Sequence, residues 1–335
     1  YTGMVGMHGT NTSNFGITEA DLLIVVGARF SDRVTGNASK FAKNAKILQL
    51  DIDPAEINKN IKVDASIIGD VKVILRKLNA RLDPVNHDEW IAHIERMKDM
   101  YPLRYDKSVL TGPFIVQTID ELTKGDAIIV TEVGQHQMWA TQLIDFEKPH
   151  SWLSSGGLGT MGYGLPAAIG ARVGSERFHE GEKPVWLIDG DGSFQMTSEE
   201  LATAFHDHTP VKIALLNNSV YGMVRQWQTL FYGEHYSATN LMDGENTPEI
   251  VDVPDFVKLA EAYGCIGMRA FTEEEAIEAI KKANEINDRP VLIDFRVWKD
   301  AMVWPMVAAG DSNDNVTYMP GIKPLQRPKA AADNE

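Results

Sequence analysis

Continuous apolar runs that stop abruptly at glycine, aspartate or asparagine recur along this chain of 335 residues. Such runs lie at 22–26, 46–50, 185–188 and 211–216, and stretches with helical spacing separate them. A strand that is buried on both faces reads as an uninterrupted apolar run, and parallel sheets covered by helices produce this alternation. The sequence therefore predicts an α/β fold that is built from parallel sheets.

The order of these patterns divides the chain into four segments. Residues 1–83 are predicted to form one domain, or the second half of one. Residues 84–112 are polar and interrupted by prolines, and we expect a surface linker there with a helix at 88–100. Residues 113–300 form a second α/β unit, and residues 301–335 a tail or lid with a polar end.

Periodicity gives the elements of these segments in outline. In the first segment a helix is predicted at 71–82. In the second unit, strands are predicted at 127–131, 185–188, 211–216 and 291–295, and helices at 114–122, 165–173, 198–206, 255–263 and 273–286.

Charge and composition argue against several classes of function. The formal net charge is −15 and no basic stripe is visible, so nucleic acid and anionic membranes are not expected partners. No apolar run approaches the roughly 20 residues of a membrane span, and no signal peptide opens the chain. The single cysteine, Cys265, excludes an internal disulfide framework and fits a cytoplasmic location. A phosphate ligand would be held by backbone N–H groups and a divalent metal rather than by a lysine cluster.

Two polar turns follow neighbouring strands of the second unit. The turn DGDGSF at 189–194 follows one apolar run, and NNSVYG at 217–222 follows the next. Asp191 and Asn218 are 27 positions apart, which leaves room for one helix and one strand. A single crossover of that length places both turns at the carboxyl edge of the same sheet, where α/β sheets bind ligands.

The residue types in these turns suit a magnesium ion that carries a diphosphate. Mg²⁺ prefers oxygen ligands and usually combines one or two protein groups with phosphate oxygens. The predicted ligands are the carboxylate of Asp191, the amide oxygen of Asn218 and the backbone carbonyl of Val220. The first turn also offers close backbone approach and N–H groups to the phosphates, at Gly190, Gly192 and Ser193. The alternative is that the two turns are unrelated, since either turn alone is weak evidence for a metal–diphosphate site.

The spacing of GDG and NN matches the signature of thiamine diphosphate enzymes, and the flanking motifs narrow the resemblance. They are EVGQHQMW at 132–139, SGGLGTMGYGLPAA at 155–168 and YGMVRQW at 221–227, with GMHGT at 6–10 and GARFSDRVTG at 27–36. Together they closely resemble the catalytic large subunit of acetolactate synthase, over nearly the whole chain. The resemblance implies parallel-sheet, three-layer domains of the thiamine diphosphate enzyme type. Residues 1–83 would be the C-terminal half of the central FAD-binding domain, and residues 113–300 the diphosphate-binding domain.

The resemblance assigns roles to individual residues of the second unit. Contacts to thiamine diphosphate are implied for Val133, Gly134, Gln135, His136, Gly159, Met161, Gly190, Asp191, Gly192, Ser193, Asn218, Gly222 and Met223. Met161 would be the apolar wedge beneath the bent cofactor, and Met223 and Trp227 would shape the pocket. By resemblance, Trp227 favours 2-ketobutyrate over pyruvate as the acceptor. Core packing is the alternative for a lone tryptophan.

The resemblance also implies FAD in the first segment, where no dinucleotide glycine motif follows the first apolar run. The implied contacts are His8, Gly9, Gly27, Arg29, Arg33, Asp51 and Asp70. The alternative for Arg29 and Arg33 is that they are ordinary surface arginines. The alternative for Asp51 and Asp70 is that they lie in solvated turns, and for Asp70 this alternative is nearly as well supported as a contact to FAD.

The implied activity is decarboxylation of pyruvate and its condensation with a second pyruvate or with 2-ketobutyrate, in branched-chain amino acid biosynthesis. The implied partners are further large subunits, in a homodimer or tetramer, and a regulatory small subunit. The family's catalytic glutamate belongs to an N-terminal pyrimidine-binding domain, so we expect this segment alone to be inactive and assign that role to no glutamate here. Another thiamine enzyme, of the pyruvate oxidase or glyoxylate carboligase type or an FAD-free catabolic acetolactate synthase, is the nearest alternative. A non-catalytic cofactor-binding remnant is the other.

Overall fold

A computed structural model describes residues 1–177, 183–242 and 253–320 of the chain. Within these ranges the chain forms two compact units. The first contains residues 1–104 and 304–320, and the second lies within residues 105–303. None of the helices in the described ranges combines the length and the apolar character that crossing a bilayer requires.

The described helices are α1 (Asn11–Glu19), α2 (Asp32–Thr35), α3 (Val71–Asn79), α4 (Asp88–Met100), α5 (Gly112–Thr123), α6 (Gln135–Leu143), α7 (Gly164–Arg177), α8 (Asp191–Phe194), α9 (Leu201–His206), α10 (Gly222–Phe231), α11 (Phe256–Ala262) and α12 (Glu273–Glu285). The strands are β1 (Leu22–Val26), β2 (Lys46–Asp51), β3 (Ala65–Ile68), β4 (Ile128–Thr131), β5 (Trp152–Ser154), β6 (Val185–Gly190), β7 (Lys212–Asn217), β8 (Ile266–Ala270), β9 (Val291–Arg296), β10 (Met306–Val307) and β11 (Val316–Thr317). Short 3₁₀ turns lie at Ala38–Lys40, Pro54–Glu56 and Ser198–Glu200.

A three-stranded parallel sheet in the order β1-β2-β3 organises the first unit. One face of this sheet packs on a small core that includes Val25, Ile47 and Phe41. On the other face Ile24 is 50% exposed, and Leu22 and Val26, at the two ends of β1, are exposed as well. One side of this sheet is therefore apolar and uncovered in the described part of the unit.

The helix predicted at 88–100 is present as α4, and it packs against α1 in the first unit. The rings of Phe15 and Tyr101 meet edge to face there, and Met97 is buried beside them. His93 of α4 also lies 2.7 Å from the carboxylate of Glu19 in α1. Residues 304–320, in the predicted tail or lid, form the antiparallel pair β10–β11, and Val307 N–H donates to the carbonyl of Met7. The rest of that segment, 321–335, lies outside the described residues.

A six-stranded sheet in the order β5-β4-β6-β7-β9-β8 forms the centre of the second unit, and all its strands run parallel. Alternate side chains of β6 enter two different cores: Trp186 and Ile188 pack with α5, α6 and α12, and Leu187 packs with α7, α9 and α11. Helices cover both faces, so the predicted three-layer α/β architecture is confirmed. The predicted neighbours β6 and β7 are adjacent, with Gly190 in register with Leu216.

The elements that periodicity missed in the second unit are short or weakly apolar. Strand β8 lies at the edge of the sheet, and it contains Gly267, against which Val257 packs closely. Helix α6 begins with Gln135 and His136, so it shows no apolar stripe. Both elements are fixed by packing against the sheet and its helices, which a local pattern does not contain.

Candidate cofactor site

The two polar turns meet at the carboxyl edge of the six-stranded sheet. Strand β6 ends at Gly190 and helix α8 begins at Asp191, and the turn that follows β7 leads into α10 at Gly222. Oδ2 of Asp191 accepts a hydrogen bond of 2.7 Å from the backbone N–H of Ser219, and Oδ1 accepts one of 3.1 Å from Gly192. The structure thus brings Asp191 to the turn that contains Asn218 and Val220.

This second turn has a strained backbone that polar contacts hold in place. Ser219 has φ of +58°, in the left-handed region that a side chain disfavours. Its hydroxyl accepts a hydrogen bond of 3.1 Å from Arg296 at the end of β9. The neighbouring Asn217 donates from Nδ2 to buried Asp294 at 2.9 Å. Oδ1 of Asn218 accepts the N–H of Val220 at 3.2 Å, which orients the amide within the turn.

Burial disfavours the charged form of three carboxyl groups at this edge, those of Asp189, Asp191 and Glu132. Burial raises the pKa of Asp191 to about 7, and the charge of Arg296 and the Ser219 N–H act in the opposite direction. Burial, and then the charge of Glu132, holds the pKa of Asp189 well above its ordinary value. Burial raises the pKa of Glu132 as well. A divalent cation bound to Asp191 would favour the ionised form of its carboxyl group.

A pocket opens above these turns. It is lined by Val133, Gly134, Gln135, His136, Met138, Trp139, Met161, Gly190, Asp191, Gly192, Ser193, Leu216, Asn218, Val220, Tyr221, Gly222, Met223 and Val224. Two buried polar atoms of the lining, Oε1 of Gln135 and Nε2 of His136, have no hydrogen-bond partner among the described residues. Burial lowers the pKa of His136 to about 3, so its ring is neutral at physiological pH. Buried polar atoms of this kind are normally paired, which suits a polar ligand here.

Glycine is required where the backbone closes around the pocket. A Cβ atom at Gly192 would lie 2.5 Å from the Tyr221 ring. At Gly222 it would collide with Oε1 of Gln135. The absence of a side chain at these positions lets Tyr221 and Gln135 pack directly against the backbone of the two turns.

The residues at this edge fit a magnesium ion and a diphosphate. Asp191 supplies an anionic oxygen and Asn218 a neutral one, and both are oxygen donors of the type that Mg²⁺ takes together with phosphates. Within the described ranges no group of three or more His, Cys, Asp or Glu side chains could hold a metal, so a metal at this edge would rely on such a mixed set.

Glu132, a residue with no assigned role in the sequence-based prediction, holds the segment that carries Met161. It follows β4 directly and is fully buried. Its carboxylate accepts the N–H of Gly164 at 2.5 Å, that of Gly162 at 3.0 Å and that of Val133 at 3.2 Å. The carboxylate therefore joins the end of a strand to the start of α7, and Met161 lies in between. Only the position of Glu132 after an apolar run could have signalled this role.

All the residues predicted to bind thiamine diphosphate line the pocket except Gly159, and Trp227, which was predicted to shape the pocket, also lies outside the lining. Gly159 belongs to the neighbouring turn, where its N–H donates to the carbonyl of Ser155, and it does not line the pocket. Trp227 lies four residues after Met223 on α10 and packs edge to face on Phe231, at 5.3 Å between ring centroids. It too is outside the lining. Their predicted roles stay predictions, as do those of the other site residues. Five residues that the prediction assigned neither to thiamine diphosphate nor to the metal also line the pocket: Met138, Trp139, Leu216, Tyr221 and Val224.

The residues predicted to contact FAD occupy two places in the first unit. Gly27 follows β1, Asp51 is the last residue of β2 and Asp70 comes two residues after β3, all at one edge of the parallel sheet. Arg29 is exposed just after Gly27. Asp70 also caps α3, since it accepts the N–H of Val73 at 3.0 Å. The carboxylate of Asp51 accepts the N–H of Asp53 at 3.0 Å.

The second place is the segment around His8. Burial lowers the pKa of His8 to about 4, and Gly9 packs so tightly on the backbone of Gly6 that no side chain would fit. Met7 N–H donates to the carbonyl of Arg33, which brings the segment to α2. The side chain of Arg33 is exposed and forms an ion pair with Asp32.

Comparison with known proteins agrees with this geometry. The model of the C-terminal TPP binding domain of thiamine pyrophosphate enzymes matches residues 132–295, which contain both turns. The model of the central domain of the same enzymes matches residues 1–78. The chain belongs to the thiamine pyrophosphate enzymes.

Within the thiamine pyrophosphate enzymes the chain is similar to acetolactate synthases, as its motifs predicted. It is 48% identical over 333 residues to the acetolactate synthase large subunit of Corynebacterium glutamicum. The aligned region covers 97% of this chain and 52% of that protein. It is 49% identical over 335 residues to the acetolactate synthase of Mycobacterium bovis, and the aligned region covers 96% of this chain and 52% of that protein. The acetolactate synthase isozyme 2 large subunit of Escherichia coli is 41% identical over 318 residues, and the aligned region covers 94% of this chain and 55% of that protein. The chain thus spans about half the length of the relatives it matches.

Proposed function

We propose that the protein carrying this chain is an acetolactate synthase, which joins pyruvate to a second pyruvate or to 2-ketobutyrate with loss of carbon dioxide. The observation that carries the proposal is the hydrogen bond from Ser219 to Asp191, which unites the two polar turns in one site. The similarity to acetolactate synthases over nearly the whole chain supports the choice of reaction.

In this proposal Asp191, Asn218 and the carbonyl of Val220 hold Mg²⁺, and the glycine-rich turn at 190–193 holds the diphosphate. When bound, thiamine diphosphate would supply the carbon nucleophile that the reaction at the keto group of pyruvate requires. The protein orients the cofactor and excludes water. Met161 and Met223 form apolar walls of the pocket, where a nucleophilic carbon is protected from solvent protons.

In this proposal helix α10 determines which keto acid reacts as the second substrate. Trp227 packs on Phe231 one turn beyond Met223, so its ring can bound the entrance for the second keto acid. A larger apolar surface there favours the extra methylene of 2-ketobutyrate, a discrimination of about 1–3 kcal/mol.

FAD binding is proposed for the first unit. The carboxyl edge of its parallel sheet presents Gly27, Asp51 and Asp70 together, and such edges bind nucleotides in α/β folds. We further propose that the protein acts in the cytoplasm, as an assembly of large subunits with a regulatory small subunit.

The test is a product assay on the full-length protein with Mg²⁺ and thiamine diphosphate. Pyruvate alone should give acetolactate, and pyruvate with 2-ketobutyrate should also give acetohydroxybutyrate. Hydrogen peroxide from pyruvate, or tartronate semialdehyde from glyoxylate, would point to another enzyme of the family and refute the proposal.

A further inference from the structure

Two buried glutamines connect the pocket wall to helix α10. Gln135 lies at the start of α6 and Gln226 in the middle of α10, and they are 4% and 1% exposed. Nε2 of Gln135 donates to Oε1 of Gln226 at 3.0 Å and to the carbonyl of Ala301 at 2.9 Å. The two amides are thus in direct contact although they are 91 residues apart in the sequence.

Backbone groups determine the orientation of both amides. Oε1 of Gln226 accepts the N–H of Val303 at 2.8 Å, and Nε2 of Gln226 donates to the carbonyl of Val303 at 3.1 Å. A backbone N–H only donates and a carbonyl only accepts, so rotating the Gln226 amide by 180° would break both bonds. Oε1 of Gln226 faces Gln135 and can only accept a hydrogen bond, so Gln135 must point its donor Nε2 toward Gln226. The carbonyl of Ala301 also accepts from this Nε2 and so favours the same orientation of the Gln135 amide.

As a result, Gln135 presents an acceptor to the pocket. Its Oε1 lies against Gly222 and has no hydrogen-bond partner among the described residues, and both residues belong to the pocket lining. A buried acceptor without a donor is unfavourable, so the site is prepared for a ligand that donates. Diphosphate oxygens accept hydrogen bonds, whereas water bound to a magnesium ion donates them.

We propose that Gln226 is a positioning residue for the cofactor site: it orients the Gln135 amide so that Oε1 receives a hydrogen bond from metal-bound water. The inference rests on the proposed magnesium–diphosphate site. It adds a residue that lies outside the pocket lining and acts only through Gln135.

The test measures the affinity of the full-length protein for thiamine diphosphate at saturating Mg²⁺, by calorimetry. Q226M removes every hydrogen bond of the amide at similar side-chain volume, and it should weaken the affinity about tenfold, the effect of one lost hydrogen bond. Q228M is the matched control. Gln228 lies on the same helix but bonds to Ser237 and Thr239, so its replacement should leave the affinity unchanged.

A double-mutant cycle separates a positioning role from a general loss of stability. If Gln226 acts through Gln135, the variant Q135M/Q226M should bind no more weakly than Q135M alone. Additive losses, or a Q226M affinity equal to that of the wild type, would overturn the proposal.

A second variant keeps the test decisive if Q226M folds poorly. In Q226E a protonated carboxyl group keeps the orientation of Gln135: one oxygen accepts from Gln135 and from the Val303 N–H, and the hydroxyl donates to the Val303 carbonyl. Its affinity should therefore fall less than that of Q135M, and an equal fall would contradict the inference. Wild-type protein that binds no thiamine diphosphate with Mg²⁺ would instead refute the proposed function itself.

Discussion

Asp191 and Ser219 join two loops that are 28 residues apart in the sequence, through a hydrogen bond of 2.7 Å from the Ser219 N–H to the Asp191 carboxylate. The bond crosses from the end of β6 to the end of β7, at the edge where parallel sheets bind ligands. It leaves lone pairs of the carboxylate for a cation and holds the turn of Asn218 beside it.

Replacing Asp191 should remove metal-dependent cofactor binding. Asp191→Ala deletes the only anionic ligand of the proposed set, and we expect at least about a hundredfold loss of affinity for thiamine diphosphate in the presence of Mg²⁺. Calorimetry on the full-length protein measures this, with circular dichroism to verify the fold. Asp207→Ala, at an exposed position after α9, should have no effect. Undiminished affinity of Asp191→Ala would refute the ligand assignment.

Trp227 should influence the choice of acceptor. Trp227→Leu removes the ring that packs on Phe231, and we expect the preference for 2-ketobutyrate over pyruvate to fall several-fold, by about 1 kcal/mol. The ratio of acetohydroxybutyrate to acetolactate in a competition assay reports this change. Trp90→Leu, in α4 of the first unit, is the control and should leave the ratio unaltered. If the ratio were the same in both variants, Trp227 would have a packing role only.

Glu132 should be a major contributor to the stability of the second unit. In Glu132→Ala the N–H groups of Val133, Gly162 and Gly164 lose their acceptor, and we expect a loss of about 3 kcal/mol in the free energy of unfolding. Urea unfolding measures this loss. Glu199→Ala, at an exposed position in the 3₁₀ turn before α9, should change the free energy of unfolding by less than about 0.5 kcal/mol. Equal stabilities of the two variants would show that the carboxylate is dispensable.

Cys265 should be protected from thiol reagents until the second unit unfolds. The side chain is buried, and burial raises the pKa of the thiol to about 11, so little thiolate exists at pH 8. Labelling of this 335-residue polypeptide with a disulfide reagent should therefore be slow in buffer and complete in urea. Its rate should keep rising with pH beyond the ordinary thiol pKa of about 8.5. Fast labelling in buffer would contradict the described burial, and a Cys265→Ser variant gives the background.

The parts of the fold that periodicity predicted are those in which the local pattern and the final burial coincide. Strands β6 and β7 are buried along their whole length, so their apolar runs identify them, and the helix at 88–100 appears with the predicted bounds. Edge strand β8 escaped prediction because its burial is intermediate along most of its length. The pairing of Asp191 with the second turn could be anticipated because a single crossover leaves the two strand ends little choice of position.

The sequence by itself determined the α/β class, the parallel neighbours β6 and β7, and the edge at which Asp191 and Asn218 would meet. Those follow from runs of apolar residues and from the length of one crossover. Only the tertiary structure decided that Glu132 holds the backbone before α7, and that Gln226 orients Gln135. These contacts join residues 32 and 91 positions apart. They depend on which buried donors and acceptors face each other once the sheet and its helices have packed.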